Sequence, residues 1–293
     1  MPVSFETLDN IGTDTSRSFL QLAKERTVMK TKPFVTRALV PFLASLLLLA
    51  GSAGAAEIKV MTSGGFTAAY NELTPPYEKL TGDKVVTAYG ASMGNAPDAI
   101  PSRLARGEPV DIVILAAPAL DDLIKQGKVI PSSRVDLVRS TIGMSVRAGA
   151  PKPDIRTVEA LKRTLLEAKS IAYSASASGV YLSTVLFPRL GIWDEIKGKS
   201  KRIESERVGT IVARGDAEIG FQQVSELLPI PGIDYVGPLP PEVQQVTIFS
   251  AGIAVGSKEP DAARALVKYL SSPAAAPVIT KTGLEPIAPA EVK

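Results

Sequence analysis

Residues 58–66 read Ile58-Lys59-Val60-Met61-Thr62-Ser63-Gly64-Gly65-Phe66: a short apolar strand that runs through a hydroxyl-and-glycine turn into a helix. Beyond the turn, Phe66, Ala69, Tyr70 and Leu73 fall at three- and four-residue spacing, the period of one buried helix face. Pro75-Pro76 predicts a break or kink before Tyr77–Leu80, and Gly82 a stop. The phrase then recurs. Strand 85–89 leads into Gly90-Ala91-Ser92-Met93-Gly94 and a helical stretch through Ile100 and Leu104. Val110–Leu115 is a nearly continuous apolar run, as suits a central parallel strand covered on both faces. Asp121–Gln126 reads as a short helix ended by Gly127, and Thr141–Val146 as the next strand. After the breaker cluster Gly149-Ala150-Pro151-Lys152-Pro153 the alternation restarts: helix 158–168, strand 171–173, a Ser-rich loop, helix 180–190, helix 208–214 and strand 218–222. A Pro-rich connection, 228–241, precedes strand 246–255, helix 261–270 and an apolar segment near Val278. This order of elements defines an α/β protein.

The 293 residues carry 33 Lys and Arg against 30 Asp and Glu, so the chain lacks the basic field of a nucleic-acid binder. It contains no histidine and no cysteine. Ser-His-Asp and Cys-His nucleophiles, imidazole or thiolate metal sites, iron–sulfur clusters and disulfides are therefore excluded, while carboxylate, Lys and Tyr chemistry stay open. No catalytic group, metal or cofactor is expected. Residues 1–56 read as an address: Lys30, Lys32 and Arg37 precede an apolar run, Leu39–Ala50, and Ala53-Gly54-Ala55 fits a processing site that would leave a chain starting at Ala56 or Glu57. Without that leader, 27 cations face 26 anions. Ser52 stands where a lipoprotein signal would need cysteine, so an exported, unanchored and periplasmic protein is expected.

Three strand-to-helix junctions carry the chemical signal: Thr62-Ser63-Gly64-Gly65, Gly90-Ala91-Ser92, and Ser174-Ala175-Ser176-Ala177-Ser178-Gly179. Helix N-termini expose unpaired N–H groups at the positive end of the dipole, and hydroxyls add donors without bulk, a combination that favours anions. Each junction alone also reads as ordinary capping. In an open α/β sheet, however, the loops at the carboxyl ends of the strands converge on one crevice.

In these segments the chain resembles the periplasmic solute-binding proteins of ABC importers, in particular the branch that resembles molybdate-binding proteins. The likeness is carried by the opening strand and Ser-Gly-Gly-Phe-Thr turn, by Leu80–Val85, and by Gly107-Glu108-Pro109-Val110-Asp111-Ile112-Val113-Ile114. It continues through Ser178-Gly179-Val180-Tyr181, Leu190-Gly191-Ile192-Trp193, Gly215–Gly220 and the tail around Tyr269-Leu270 and Pro273–Ala275. The resemblance implies a two-lobed, type II periplasmic-binding-protein fold with a ligand cleft and a hinge crossed twice. Lobe 1 is placed at 57–140 plus 250–293 and lobe 2 at 141–249. The family's ligand positions fall here on Ser63, Gly64, Gly65, Ser92, Ser178, Arg207, Val208, Gln222 and Gln223. Ser176, Gly179 and Tyr181, on or beside the Ser loop, join them as candidates.

Two departures bear on the ligand. Gly65 stands where the molybdate binders place a serine, and Gln223 where they place a tyrosine, so two hydroxyls leave the pocket. Two amides offer acceptors as well as donors, and Arg207 suits a bidentate pair with a carboxylate. The rival reading of Arg207 is a helix-end charge paired with Glu204 or Glu206. A small organic acid is therefore the favoured ligand and molybdate or tungstate the alternative. The expected function is binding without chemistry: a monomeric receptor, not an enzyme, that delivers a small anion to a membrane ABC permease. A ligand sensor and an enzyme on the same fold are the competing classes.

Overall fold

The computed structural model describes residues 54–288. The expected leader lies outside them, except for residues 54–56. Two mixed sheets organise the chain. The first has strand order β11-β4-β10-β3-β1-β2, built from β1 (Glu57–Thr62), β2 (Lys84–Tyr89), β3 (Ile112–Ala116), β4 (Val135–Ser140), β10 (Thr247–Ile253) and β11 (Glu285–Pro286). The second has order β7-β6-β8-β5-β9, with β5 (Ile142–Arg147), β6 (Ile171–Ser174), β7 (Ser200–Ile203), β8 (Ile219–Gln223) and β9 (Ile233–Pro238). The chain leaves the first sheet at Ser140 and enters the second at Ile142. It returns between Pro238 and Thr247. This is the two-lobed α/β architecture of type II periplasmic binding proteins.

Alternation on the strands explains how each lobe holds together. On β3, Ile112, Ile114 and Ala116 join one apolar cluster while Val113 and Leu115 join another, so both faces of this strand are buried. Helix α1 (Gly64–Thr81) covers the first face with Phe66, Ala69, Tyr70, Leu73 and Tyr77. It ends at Gly82, whose φ of 82° is left-handed and whose N–H donates to Glu78 O at 2.8 Å. Contrary to expectation, Pro75 and Pro76 do not break α1, which runs unbroken for 18 residues. Both prolines lie on the solvent side, and the carbonyls they release belong to exposed Asn71 and Glu72, on a face open to solvent.

Three further departures from the sequence reading matter. The Pro-rich connection 228–241 contains β9, an edge strand that pairs antiparallel with β5. β4 and β7 also went unread, although β4 sits inside its sheet between β10 and β11. The helix expected over 180–190 starts earlier, as α5 at Ala177–Tyr181, and widens into a π turn at Leu182–Leu186. There the hydroxyls of Ser183 and Thr184 bond back to Gly179 O and Val180 O at 2.9 and 2.7 Å.

The parallel strands point their carboxyl ends the same way within each lobe. Thr62 pairs with Tyr89 and with Ile114 in the first sheet, and Tyr173 pairs with Phe221 in the second. The chain therefore leaves β1, β2, β6 and β8 into loops that meet between the lobes.

Candidate functional site

A cavity of about 370 Å³ lies where these loops meet, lined from both lobes. At about 30 Å³ for each water it has room for about a dozen. Of the residues singled out from sequence, Ser63, Gly64, Gly65, Ser92, Ser176, Ser178, Arg207, Gln222 and Gln223 line it. Gly179, Tyr181 and Val208 do not. Gly179 is pressed against the backbone of Ser174, where a side chain would collide. The Tyr181 hydroxyl donates to Val243 O at 2.9 Å, inside its own lobe. Val208 opens helix α6 (Val208–Arg214), and its N–H is already held by Gln222 Oε1 at 2.9 Å.

Each lining group has a local cause. Ser63 is the N-cap of α1, 1% exposed, with extended backbone and no capping bond, so its hydroxyl is buried and unpartnered. Gln223 Oε1 is likewise buried without a partner, while its Nε2 donates to Thr247 Oγ1 at 3.0 Å. Orphaned polar atoms in a cavity wall cost free energy unless a ligand or water meets them. Ser92 Oγ accepts from Ala116 N at 2.9 Å, which ties the loop after β2 to the end of β3. Ser174 and Ser178 share a hydroxyl–hydroxyl bond of 3.1 Å. At Gly65, a Cβ would land in the ring of Phe249, so the ring fills the space that a serine there would need.

Arg207 is the only Lys or Arg among the residues lining the cavity. Its expected partners are engaged elsewhere: Glu204 with Arg202, and Glu206 with Arg214. Among the described residues Arg207 makes no ion pair, so its guanidinium remains available to an anion in the cavity.

Sequence reasoning missed Glu226. It sits on α7 (Val224–Leu227), the short helix after β8, and lines the cavity. Its Oε1 accepts from Gln222 Nε2 at 2.8 Å and occupies the place that a Cβ on Gly64 would take. Burial pushes its carboxyl up to about 7, against the opposing influence of the Arg207 charge and the Gln222 hydrogen bond. Gln222 therefore faces inward: one end of its amide caps α6 and the other holds Glu226, which leaves it little to offer a ligand. The one signal in the sequence was the i, i+4 spacing of Gln222 and Glu226 across a strand-to-helix junction.

Hydrogen bonds span the cleft. Ser225 Oγ donates to Gly65 O at 2.7 Å, and Ser205 Oγ to Asp98 Oδ1 at 3.0 Å. Hydroxyls and one guanidinium from two lobes, gathered around a carboxylate that titrates near neutrality, make a site able to hold an organic anion and to move a proton on it.

That fold and site define a solute-binding protein. Residues 58–285 match the family of bacterial extracellular solute-binding proteins, and the chain belongs to it. An aconitate isomerase from Pseudomonas sp is 49% identical over 245 residues, 84% of this chain and 93% of that protein. The molybdate-binding protein ModA of Azotobacter vinelandii is 30% identical over 247 residues, 80% of this chain and 92% of that one. The solved structure of the Azotobacter vinelandii periplasmic molybdate-binding protein aligns with a TM-score of 0.62 at 21% identity. It covers 79% of this chain and 99% of its own. The likeness to aconitate isomerase corrects the expectation that the chain is not an enzyme. The absence of His and Cys removed familiar catalytic designs, but a buried carboxylate needs neither.

Proposed function

We propose that this protein isomerises an unsaturated tricarboxylate of the aconitate type, held between its lobes. The 49% identity to an aconitate isomerase carries the reading. The cavity supports it with an uncommitted Arg207 for a carboxylate, hydroxyls at Ser63, Ser92 and Ser178 for further oxygens, and an ionisable Glu226. Interconverting the cis and trans forms means releasing the double bond, which proton transfer at the adjacent methylene achieves without a cofactor. The test is to incubate the purified chain with cis-aconitate and, separately, with trans-aconitate, following both by proton NMR. The expected result is convergence on one mixture from either side. Tight binding with no interconversion would overturn the reading.

Identity to ModA favours a second reading, an oxyanion site for molybdate or tungstate. Gly65 with Phe249 behind it, Gln223 in place of a hydroxyl, and a carboxylate at 226 all weigh against a dianion that needs donors almost exclusively. Thermal stabilisation by aconitate and not by molybdate separates the two. Family membership further supports export to the periplasm and docking on an ABC permease, and the Ala53-Gly54-Ala55 motif supports cleavage near Ala55 or Ala56. Mass spectrometry of the periplasmic protein checks the cleavage point.

A further inference from the structure

Given the isomerase reading, on which this inference rests, the cavity must supply one group that removes a proton from carbon and one that gives it back. Its carboxylates are Asp98, Glu204, Glu206 and Glu226. Asp98 accepts from Ser205, Glu204 pairs with Arg202, and Glu206 pairs with Arg214. Among the described residues Asp98 and Glu226 make no ion pair, but Asp98 is tied to Ser205 across the cleft, whereas Glu226 has Oε1 fixed by Gln222 and an Oε2 that accepts no hydrogen bond. The residue beneath it is Gly64, whose missing side chain lets the carboxylate reach the cavity wall at the start of α1.

We propose that Glu226 is the catalytic acid–base residue, with Gln222 as its positioning residue and Arg207 holding one substrate carboxylate. The Glu226 carboxylate takes a proton from the substrate's methylene carbon. The C–H electron pair becomes a new double bond to the central carbon, and the old π pair moves to the far carbon, where the adjoining carboxylate delocalises it. Protonated Glu226 then returns its proton to that far carbon. The atoms balance with no oxidant and no added proton, and the constitution is unchanged. The geometry of the new double bond is set by how the former single bond was turned when the proton left. One carboxylate on one face of the ligand serves both halves.

Charge around Glu226 suits the task. Arg207 and the Gln222 amide favour its charged form, burial favours the neutral one, and the balance near neutrality populates both. Of the other carboxylates that share the cavity, Glu204 and Glu206 have their charges offset by Arg202 and Arg214, while Asp98 is held by the Ser205 hydroxyl.

The test uses the chain without its leader, with trans-aconitate as probe, in deuterium oxide. Wild-type protein is expected to isomerise the probe and, in those turnovers in which the proton on Glu226 exchanges with solvent before its return, to place deuterium on the carbon that receives it. Glu226→Gln, which keeps the shape and the acceptor for Gln222, is expected to bind the probe within a few-fold by calorimetry. Both isomerisation and deuterium uptake should fall by about 10²–10⁴-fold. Gln222→Leu is expected to stay active while the acidic limb of its pH–rate profile moves upward, because the charged carboxylate has lost a donor. A Glu226→Gln variant that binds and still isomerises within tenfold of wild type would overturn the assignment and leave the isomerase reading standing. Wild-type protein that binds but neither isomerises nor exchanges would overturn the reading itself. An unmoved pH profile in Gln222→Leu would remove Gln222 from its role, whether or not the Glu226 variant folds.

Discussion

Arg207 has no ion-pair partner among the described residues, so its worth lies in what the cavity holds. Replacing it with Met should weaken aconitate binding by about 10- to 100-fold, the size of a lost charge-assisted hydrogen bond, which calorimetry measures directly. Glu226 makes the opposite kind of statement in the empty protein. Its folded pKa of about 7 lies above that of an unfolded glutamate near 4.3, so its contribution to stability is intact below about pH 4 and is lost as pH rises through 7. Thermal melts should therefore find Glu226→Gln no less stable than wild type in acid and more stable above pH 7. Gly65 shows a constraint of shape: Ala there meets the Phe249 ring and should cost about 1–3 kcal/mol in urea unfolding. The departure that drew attention to Gly65 as a change of ligand is, in the fold, equally a change of packing.

Among the elements, Asp111 fastens three together. Its carboxylate, 3% exposed, accepts from Lys59 N on β1 at 2.8 Å, from Ser257 Oγ at 2.7 Å, and from the backbone N–H groups of Lys258 and Glu259 ahead of helix α8 (Pro260–Leu270). Burial alone would raise its pKa, but those bonds outweigh it and hold the group below the ordinary aspartate value. Its stabilisation is present above about pH 4 and drains away as pH falls through the lowered folded pKa. Asp111→Asn should flatten the acid side of a stability–pH curve and leave the alkaline side parallel to wild type. Elements of this kind were legible where glycine and serine mark a change of direction, as at Ser63-Gly64-Gly65 and around Ser178. β9 was not, because an edge strand with one partner tolerates proline and needs no apolar alternation. β4, Val-Asp-Leu-Val-Arg-Ser, hid behind its charges, one of which, Asp136, accepts from Ser250 of the neighbouring strand. Glu226 stayed invisible for a related reason: in Val-Ser-Glu-Leu a carboxylate looks like the solvent side of a short helix, and only the approach of Gly64 from far along the chain encloses it. Gln222 was visible as polar, but its commitment to Val208 and Glu226 could not be read from the chain alone.

At the scale of the whole molecule, the cavity exists only while both lobes contribute to it. Ser225 Oγ to Gly65 O is one of the direct bonds across the cleft. Ser225→Ala removes about 1 kcal/mol from the joined arrangement, so the ligand's affinity should fall about fivefold, with solution scattering showing a larger radius in the ligand-free protein. That single bond has an ambiguous value. For a carrier, every moment the lobes stay together is useful, because a cargo that leaves early never reaches its destination. For a catalyst, the same moment is idle time once the product has formed, since nothing new can come in until the old occupant departs. A looser latch would thus make a poorer courier and a faster worker, and this serine against its carbonyl is one of the contacts whose dwell time tilts the chain toward either trade.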